Sequence, residues 1–299
     1  MIVYEPLIRR IPNPRIPIPH PVKQRPKGGR MTLIVGLRCR NSIVIGSEQE
    51  EVTGYTKRSI NKLRCFTDDK WAVGFSGAGD GAIVDDAERR LADWLHTQKT
   101  FTGAQLVEAV NTVLATVYKR FIKPDPGSEG IGLVIGASCQ DGLCLIQSVT
   151  RTAQLKNDHV CAGVGRIVAD YLVGRLYNAD DKWLNAAKIA AFVLHEARET
   201  VAGCGGNSNF IVLQEPPRPR WRDLGDEFGP EMDGDFDGVL GQCLRPEIIK
   251  GRWRPELMGG YCDERAPEPR EEFPYSADPK SQATLNKIVE EFEREDESA

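Results

Sequence analysis

The chain has 299 residues, and its 39 Lys and Arg stand against 43 Asp and Glu, so its formal net charge is −4. No apolar run approaches the roughly 18 residues that a transmembrane helix requires, so no membrane association is expected. The eight cysteines form no CxxC pair, and the four histidines show no ligand spacing. This pattern supports neither a zinc site nor a disulfide framework, and we predict no metal and no cofactor.

Charge divides the chain into three parts. Residues 1–30 carry seven basic residues and one acid, whereas residues 214–299 carry twelve basic residues and twenty-two acids. The middle part balances twenty of each and holds nearly all the long apolar runs. A segment of about 180 residues is long enough for one good core. We therefore predict a Pro-rich basic leader (1–31), one folded domain (32–213) and an acidic, largely disordered tail (214–299) with a single helix at Gln282–Arg294.

The leader also bears on localisation and partners. Prolines interrupt it throughout, so it lacks the apolar stretch of a signal peptide, and a cytoplasmic protein is expected. It is short and has no interleaved aromatic residues, while the middle part is neutral. Nucleic-acid binding therefore has little support, and none is predicted.

In the middle part, runs of strands alternate with pairs of helices. The apolar pattern predicts strands, in chain order, at Leu33–Cys39, Ser42–Ser47, Asn61–Phe66, Trp71–Phe75, Gly130–Cys139, Leu143–Val149 and Asn209–Leu213. Helical periodicity predicts helices at Ala82–His96, Thr102–Phe121, Ile167–Tyr177 and Leu184–Thr200. This order favours an α+β fold, a four-layer αββα sandwich in which two stacked antiparallel sheets lie between helical layers.

Four residues stand at the ends of the first predicted strands. Thr32 begins the first strand, and Glu48 lies sixteen residues later, at the end of the second. Lys62 lies at the start of the third, and Gly77 follows the fourth. The order and spacing of these residues resemble those of proteasome β subunits. Their spacing along the chain fits best with that of the bacterial proteasome-like, ATP-dependent peptidase, which belongs to the N-terminal-nucleophile hydrolases. The resemblance covers residues 32–213.

The chemistry of that family explains the residue types. A threonine hydroxyl is a weak nucleophile that needs an adjacent base, and the free α-amine of an N-terminal threonine supplies one. The resemblance implies that Thr32 is nucleophile and base, that Lys62 is its electrostatic partner and that Glu48 anchors Lys62. It also implies that the Gly77 N–H forms the oxyanion hole, where a side chain would crowd the substrate.

Two positions depart from the family pattern. The family usually places a serine in a Gly-Ser-Gly turn opposite the threonine, whereas this chain has Val164 between Gly163 and Gly165. A later Asp…Ser pair corresponds to Glu199 and roughly Ala202, so the second serine is also missing. These groups help to arrange the proton network, so the replacements bear on catalytic efficiency.

The leader decides whether Thr32 has a free amine. A Thr32 nitrogen in a peptide bond has essentially no basicity, so residues 1–31 must be absent from an active enzyme. The residue before Thr32 is Met31 rather than the glycine found in self-cleaving family members. We expect either that the leader is removed or that Met31 is the true start and is itself removed enzymatically.

Two functions remain open at this point. The first is a threonine-type endopeptidase in a self-compartmentalising homo-oligomeric ring, acting on peptides or unfolded proteins, with an ATPase unfoldase as a candidate partner. The second is a non-catalytic shell or scaffold subunit, because proteasome α subunits share the fold, keep an N-terminal extension and do no chemistry. The Thr32, Glu48 and Lys62 set favours the enzyme, whereas Val164 and the long leader favour the scaffold.

Overall fold

The computed structural model describes residues 32–53, 56–124, 130–149, 151–215, 221–224 and 228. Over these residues the chain is α+β, with three antiparallel sheets and four α-helices. The strands are β1 Leu33–Arg38, β2 Ser42–Glu48, β3 Glu50–Thr53, β4 Thr56–Ser59, β5 Leu63–Asp68, β6 Trp71–Ala78, β7 Gly132–Cys139, β8 Gly142–Val149, β9 Thr152–Lys156, β10 His159–Gly163, β11 Ser208–Gln214 and β12 Trp221–Asp223. The helices are α1 Gly81–Leu95, α2 Gly103–Val117, α3 Arg166–Leu176 and α4 Trp183–Thr200.

The first sheet has the order β10-β1-β2-β11-β12 and positions most of the candidate site. Strand β1 pairs with β2 on one side and with β10 on the other, where Leu33 lies opposite Gly163. Strand β2 also pairs with β11, and Glu48 lies opposite Ser208. Both β1 and β2 are buried almost throughout, which explains their continuous apolar runs.

The second sheet has the strand order β5-β6-β7-β8-β9. Its neighbouring strands are joined by short connections except for β6 and β7, which are joined through α1 and α2. Its β7–β8 turn uses Gly142 at φ +105°, a conformation that residues with a side chain rarely adopt. The third sheet is the short hairpin β3-β4, which follows Glu48 along the chain.

Two of the helices begin with N-cap residues whose side chains bind backbone N–H groups of the first turn. The Asp80 side chain accepts a hydrogen bond from Ala82 N at the start of α1, and Thr102 and Gln105 form a capping box at the start of α2. Helix α2 ends at Val117 and passes into a π-helical turn, Tyr118–Ile122. The predicted helix Thr102–Phe121 therefore covers both pieces.

Three apolar clusters hold these elements together. One joins α3 and α4 to the first sheet, one joins α1 and α2 to the second sheet, and the third lies between the two sheets. Glycines allow the sheets to approach closely: a Cβ on Gly74 would come 2.5 Å from Ile211 Cδ1, and one on Gly136 would come 2.9 Å from Ile43 Cγ2. A larger residue at either position would push the sheets apart.

The sequence did not predict five of the strands. No strand is predicted between Ser47 and Asn61, but this segment forms β3 and β4, and β9 and β10 are also missed. Strand β12 lies beyond the predicted domain end at residue 213 and pairs with β11. Leu224 and Phe228 also belong to the core, where the Phe228 ring lies 5.2 Å from that of Phe210.

Two sequence predictions fall outside the described residues, namely the leader (1–31) and the helix Gln282–Arg294. Within the described part, no helix combines the length and apolarity needed to cross a membrane.

Candidate functional site

Thr32 lies immediately before β1 and is held by its backbone. Its carbonyl accepts a hydrogen bond of 3.0 Å from Val164 N, and the residue is 4% exposed. The adjoining Gly163 has φ +103°, and a Cβ there would lie 1.6 Å from the Thr32 carbonyl oxygen. Only glycine fits at this position, so the Gly163–Gly165 turn fixes where Thr32 enters the sheet.

Lys62 points directly at the Thr32 hydroxyl. Its Nζ donates to Thr32 Oγ1 at 2.8 Å and also to the carbonyl oxygen of Glu50. The side chain of Lys62 is 8% exposed, and its Nζ lies 4.0 Å from Glu48 Oε1. The structure therefore brings Thr32, Lys62 and Glu48 together from three separate parts of the chain.

Glu48, the last residue of β2, is completely buried and is anchored by two backbone groups. Its Oε1 accepts from Leu33 N at 3.0 Å, and its Oε2 accepts from Gly205 N at 2.6 Å. Burial raises the pKa of Glu48 to about 7, and the charge of Lys62 and the two N–H groups oppose this rise. This carboxyl therefore changes its charge near neutral pH.

The environment of Lys62 combines burial with negative neighbours. Burial lowers the pKa of the Lys62 amine, and the carboxylates of Glu48, Glu51 and Glu50 act in the opposite direction. A buried cation that already contacts a hydroxyl oxygen is placed to stabilise negative charge on that oxygen. This arrangement suits a reaction in which Thr32 Oγ1 becomes an alkoxide.

Gly77 lies near the end of β6. The pairing of β5 with β6 ends where Leu63 faces Ser76, so Lys62 immediately precedes, and Gly77 immediately follows, the last paired residues. A Cβ on Gly77 would come 2.4 Å from Val84 Cγ1 of α1. Helix packing thus requires glycine here, independently of the substrate crowding that we expected to explain it. Its role as an oxyanion donor stays a prediction.

The positions that depart from the family pattern do not supply polar side chains to the site. Val164 contributes its N–H to Thr32, while its side chain is 45% exposed. Glu199 and Ala202 are both exposed. Among the described residues, no group of three or more His, Cys, Asp or Glu could hold a metal ion.

Cys204 is a neighbour of the site that the sequence did not indicate. It is buried, its sulfur accepts a hydrogen bond from the Gly165 backbone, and Glu48 and Lys62 both act on it electrostatically. Burial raises the pKa of its thiol to about 12, so Cys204 is not an activated nucleophile. Its only signal in the sequence is its position two residues after Ala202.

Comparison with known proteins yields likeness in structure alone. No protein-family model matches the chain, and no curated protein matches it. Among similar solved structures, Anbu (ancestral beta-subunit) from Yersinia bercovieri has 11% identity and a TM-score of 0.59, and the match covers 74% of this chain and 98% of that one. An Anbu (Gly-1) mutant from Hyphomicrobium sp. strain MC1 has 12% identity, coverage of 72% and 98%, and a TM-score of 0.58.

A third structure is titled the helical assembly of the Anbu complex from Pseudomonas aeruginosa, with 12% identity, coverage of 72% and 96%, and a TM-score of 0.55. At such identities the likeness shows a shared, proteasome-like fold. The assignment to the proteasome β-type or bacterial proteasome-like peptidase family is wrong, because these similar structures are Anbu proteins, which are distinct from that family. The strand ends that carry Thr32, Glu48 and Lys62 are part of the fold, so their spacing alone does not separate its families.

Proposed function

We propose that the protein is a threonine-type endopeptidase that hydrolyses amide bonds with Thr32 once residues 1–31 are absent. The observation that supports this proposal is the 2.8 Å hydrogen bond from Lys62 Nζ to Thr32 Oγ1. Both side chains are almost fully removed from solvent, and Glu48 lies beside the lysine. The charge of a buried lysine must be balanced by hydrogen bonds or by opposite charge. Here one of its hydrogen-bond acceptors is a hydroxyl group that could act as a nucleophile.

The proton balance of the reaction depends on the Thr32 nitrogen. A free α-amine has a pKa of about 7.7–8.0, and the nearby Lys62 charge lowers it, so part of it is neutral at cytoplasmic pH. This amine takes the proton of Oγ1 as Oγ1 attacks the substrate carbonyl carbon. The same proton then passes to the departing amine of the substrate. Water, deprotonated by the α-amine, hydrolyses the resulting ester and regenerates the Thr32 hydroxyl.

Two further residues act on charge in this scheme. Glu48 holds Lys62 charged and oriented, and the Gly77 N–H stabilises the oxyanion of the tetrahedral intermediate. The position of Gly77 next to Ser76, which pairs with the residue after Lys62, supports this role.

The proposed mature protein is a ring-forming subunit. We place its domain from residue 32 to about residue 228, because β12, Leu224 and Phe228 pack on the core of the predicted domain 32–213. The three apolar clusters support a four-layer αββα arrangement, and an acidic tail follows the domain. Helices α1 and α2 would supply subunit contacts in a homo-oligomeric ring that encloses the sites. Assembly is supported by the helical assembly described for the Anbu complex of Pseudomonas aeruginosa. Peptides or unfolded proteins are the substrates, an ATPase unfoldase is the partner, and the cytoplasm is the location.

One observation favours a second candidate, a non-catalytic shell or scaffold subunit. The turn that holds Thr32 presents an exposed valine side chain where the resemblance implies a serine hydroxyl, and Glu199 and Ala202 are exposed. A chain that had lost catalysis would keep the fold while losing these hydroxyl groups.

Hydrolysis of a broad panel of fluorogenic peptides tests the two candidates. The chain beginning at Met31 is expressed, and its N-terminus is confirmed at Thr32 by sequencing. Hydrolysis that disappears in Thr32→Ala and persists in Thr32→Ser supports the peptidase. A processed protein that cleaves no peptide but assembles into rings supports the scaffold.

A further inference from the structure

The loop between α4 and β11, residues 201–207, contacts several parts of the candidate site through its backbone. The Gly205 N–H donates to Glu48 Oε2 at 2.6 Å, and the Gly205 carbonyl accepts from Glu50 N at 3.2 Å. The Asn207 carbonyl accepts from Gln49 N at 2.8 Å. We call this segment the glycine loop. It holds the Glu48 carboxyl and also β3, whose first residue supplies the carbonyl that binds Lys62.

The conformation of the glycine loop is unusual and is tied to α4. Gly203 and Gly206 have φ values of +100° and +73°. From the last turn of α4, Arg198 Nη1 donates to the Gly206 carbonyl oxygen at 2.7 Å, while its Nη2 lies 3.3 Å from His195 Nδ1. An arginine near a helix C-terminus is well placed to bind free carbonyl groups. Arg198 therefore connects a packed helix to the residue next to Gly205.

We propose that Arg198 is a positioning residue of the candidate site, which acts through the Gly206 carbonyl to keep the Gly205 N–H on the Glu48 carboxylate. In this arrangement Arg198 fixes the position of a backbone N–H, and this N–H orients Glu48. Val164 and Ala202 provide no hydroxyl group that could help to orient the site. The catalytic consequence rests on the proposed function, but the effect on Glu48 does not.

The energetics explain why one N–H matters here. Glu48 is fully buried, so each hydrogen bond to its ionised form opposes the cost of desolvation. The charged or titratable groups that act on Glu48, Lys62 or both are Glu50, Glu51 and Cys204, together with the Lys62–Glu48 pair itself. Without Gly205 N, the Leu33 N–H and Lys62 at 4.0 Å remain to stabilise the anion. A looser glycine loop should therefore make Glu48 easier to protonate.

A direct titration of Glu48 in the full chain tests this inference. Glutamate carboxyls are labelled with ¹³C, and the Glu48 signal is assigned by its loss in Glu48→Gln. Wild type should titrate with a pKa near 7, the value set by burial. We expect Arg198→Met to raise this pKa by about one unit, or about 1.4 kcal/mol, since the ionised carboxyl loses most of one hydrogen bond to a backbone N–H. Arg198→Lys, which keeps a donor for the carbonyl, should restore most of the wild-type value.

The control is Arg89→Met, which removes an arginine that pairs with Asp86 and Asp93 on the surface of α1. It should leave the Glu48 titration unchanged. If Arg198→Met lowers stability but leaves the Glu48 pKa at the wild-type value, Arg198 is only a structural residue and the inference is overturned. Should Arg198→Met not fold, Arg198→Gln, whose shorter amide cannot reach as far, is titrated in its place with the same expected rise.

The enzyme provides a second readout that separates the two proposals. In the processed protein, Arg198→Met should lower kcat about fivefold at neutral pH with little change in KM, because a pKa one unit above 7 leaves about a fifth as much ionised Glu48 beside Lys62. A protein that shows the titration shift but cleaves no peptide would refute the proposed function and keep the positioning role. An unchanged kcat together with an unchanged titration would refute the positioning role alone.

Discussion

Replacement of Lys62 by methionine separates the proposed chemistry from the fold. Methionine is close to lysine in length and fills the same space without the ammonium group. The substitution removes the 2.8 Å hydrogen bond to Thr32 Oγ1 and the cation 4.0 Å from Glu48. Because burial already lowers the Lys62 pKa and raises that of Glu48, the buried charges cost desolvation energy in the wild type. Loss of the lysine should therefore change stability only modestly, with Glu48 protonated in the variant.

The expected effect on the reaction is much larger. A unit positive charge at 2.8 Å from a full alkoxide charge attracts it by about 6 kcal/mol at an effective dielectric constant of 20. Water and neighbouring donors recover part of this in the variant. Removal of one preorganised donor to an oxyanion costs about 3–4 kcal/mol, or 10²–10³ in rate. We expect Lys62→Met to lower kcat by that factor while KM changes little.

The measurement is steady-state peptide hydrolysis by processed protein whose N-terminus has been confirmed at Thr32. Lys70→Met serves as the matched control, because Lys70 is an exposed lysine in the turn between β5 and β6, at the far end of β5 from Lys62. It should retain wild-type kcat, and Thr32→Ala sets the background. If processed Lys62→Met cleaves peptides within threefold of wild type, the contact between Lys62 and Thr32 has no catalytic role and our reasoning is wrong.

Three further predictions address maturation, the turn and the domain end. Intact mass spectrometry of the native protein should show a chain that begins at Thr32, and a population consisting only of chains from Met1 would contradict the peptidase. Gly163→Ala should destabilise the protein by about 3 kcal/mol or more in urea unfolding, since its Cβ would overlap the Thr32 carbonyl, whereas Gly174→Ala, with open space around its Cβ, should stabilise it by about 0.5–1 kcal/mol. Phe228→Ala should lower the free energy of unfolding by about 3–5 kcal/mol, and a chain ending at residue 216 should be less stable than one ending at residue 230. If the two chains are equally stable, the domain ends at residue 213, as the sequence predicts.

The helices could be predicted from the sequence because their apolar faces repeat regularly. Helix α1 was predicted at Ala82–His96 and lies at Gly81–Leu95, and α4 was predicted at Leu184–Thr200 and lies at Trp183–Thr200. The hairpin of β3 and β4 could not be predicted, since its strands are four residues long, polar and outside both large sheets. Strand β12 was missed for a related reason: it has three residues in a proline-rich, charged context, and its pairing with β11 depends on the tertiary structure.

The candidate site could also be predicted only in part. Thr32, Glu48 and Lys62 were selected by their resemblance to proteasome β subunits. Although that family assignment is wrong, Lys62 does lie beside both Thr32 and Glu48. The contributions of Gly205 and Val164 are backbone N–H groups, which every residue except proline possesses, so no residue type marks them. The role of Arg198 could not be predicted either, because an arginine near a helix end is usually an exposed surface residue. Only the tertiary structure shows that the Gly206 carbonyl lies beside it.

The contacts around Thr32 also bear on how maturation would create activity. The Thr32 carbonyl is held by Val164 N, the hydroxyl by Lys62 and the next amide, Leu33 N, by Glu48. All of these partners belong to the domain, and all bind atoms that remain after a cut before Thr32. Removal of residues 1–31 would therefore need to create only the amine, and would not need to rearrange the nucleophile or its cation. A site assembled in advance avoids the reorganisation cost that would otherwise reduce the rate, so the processed and unprocessed proteins should differ in basicity at the Thr32 nitrogen far more than in geometry.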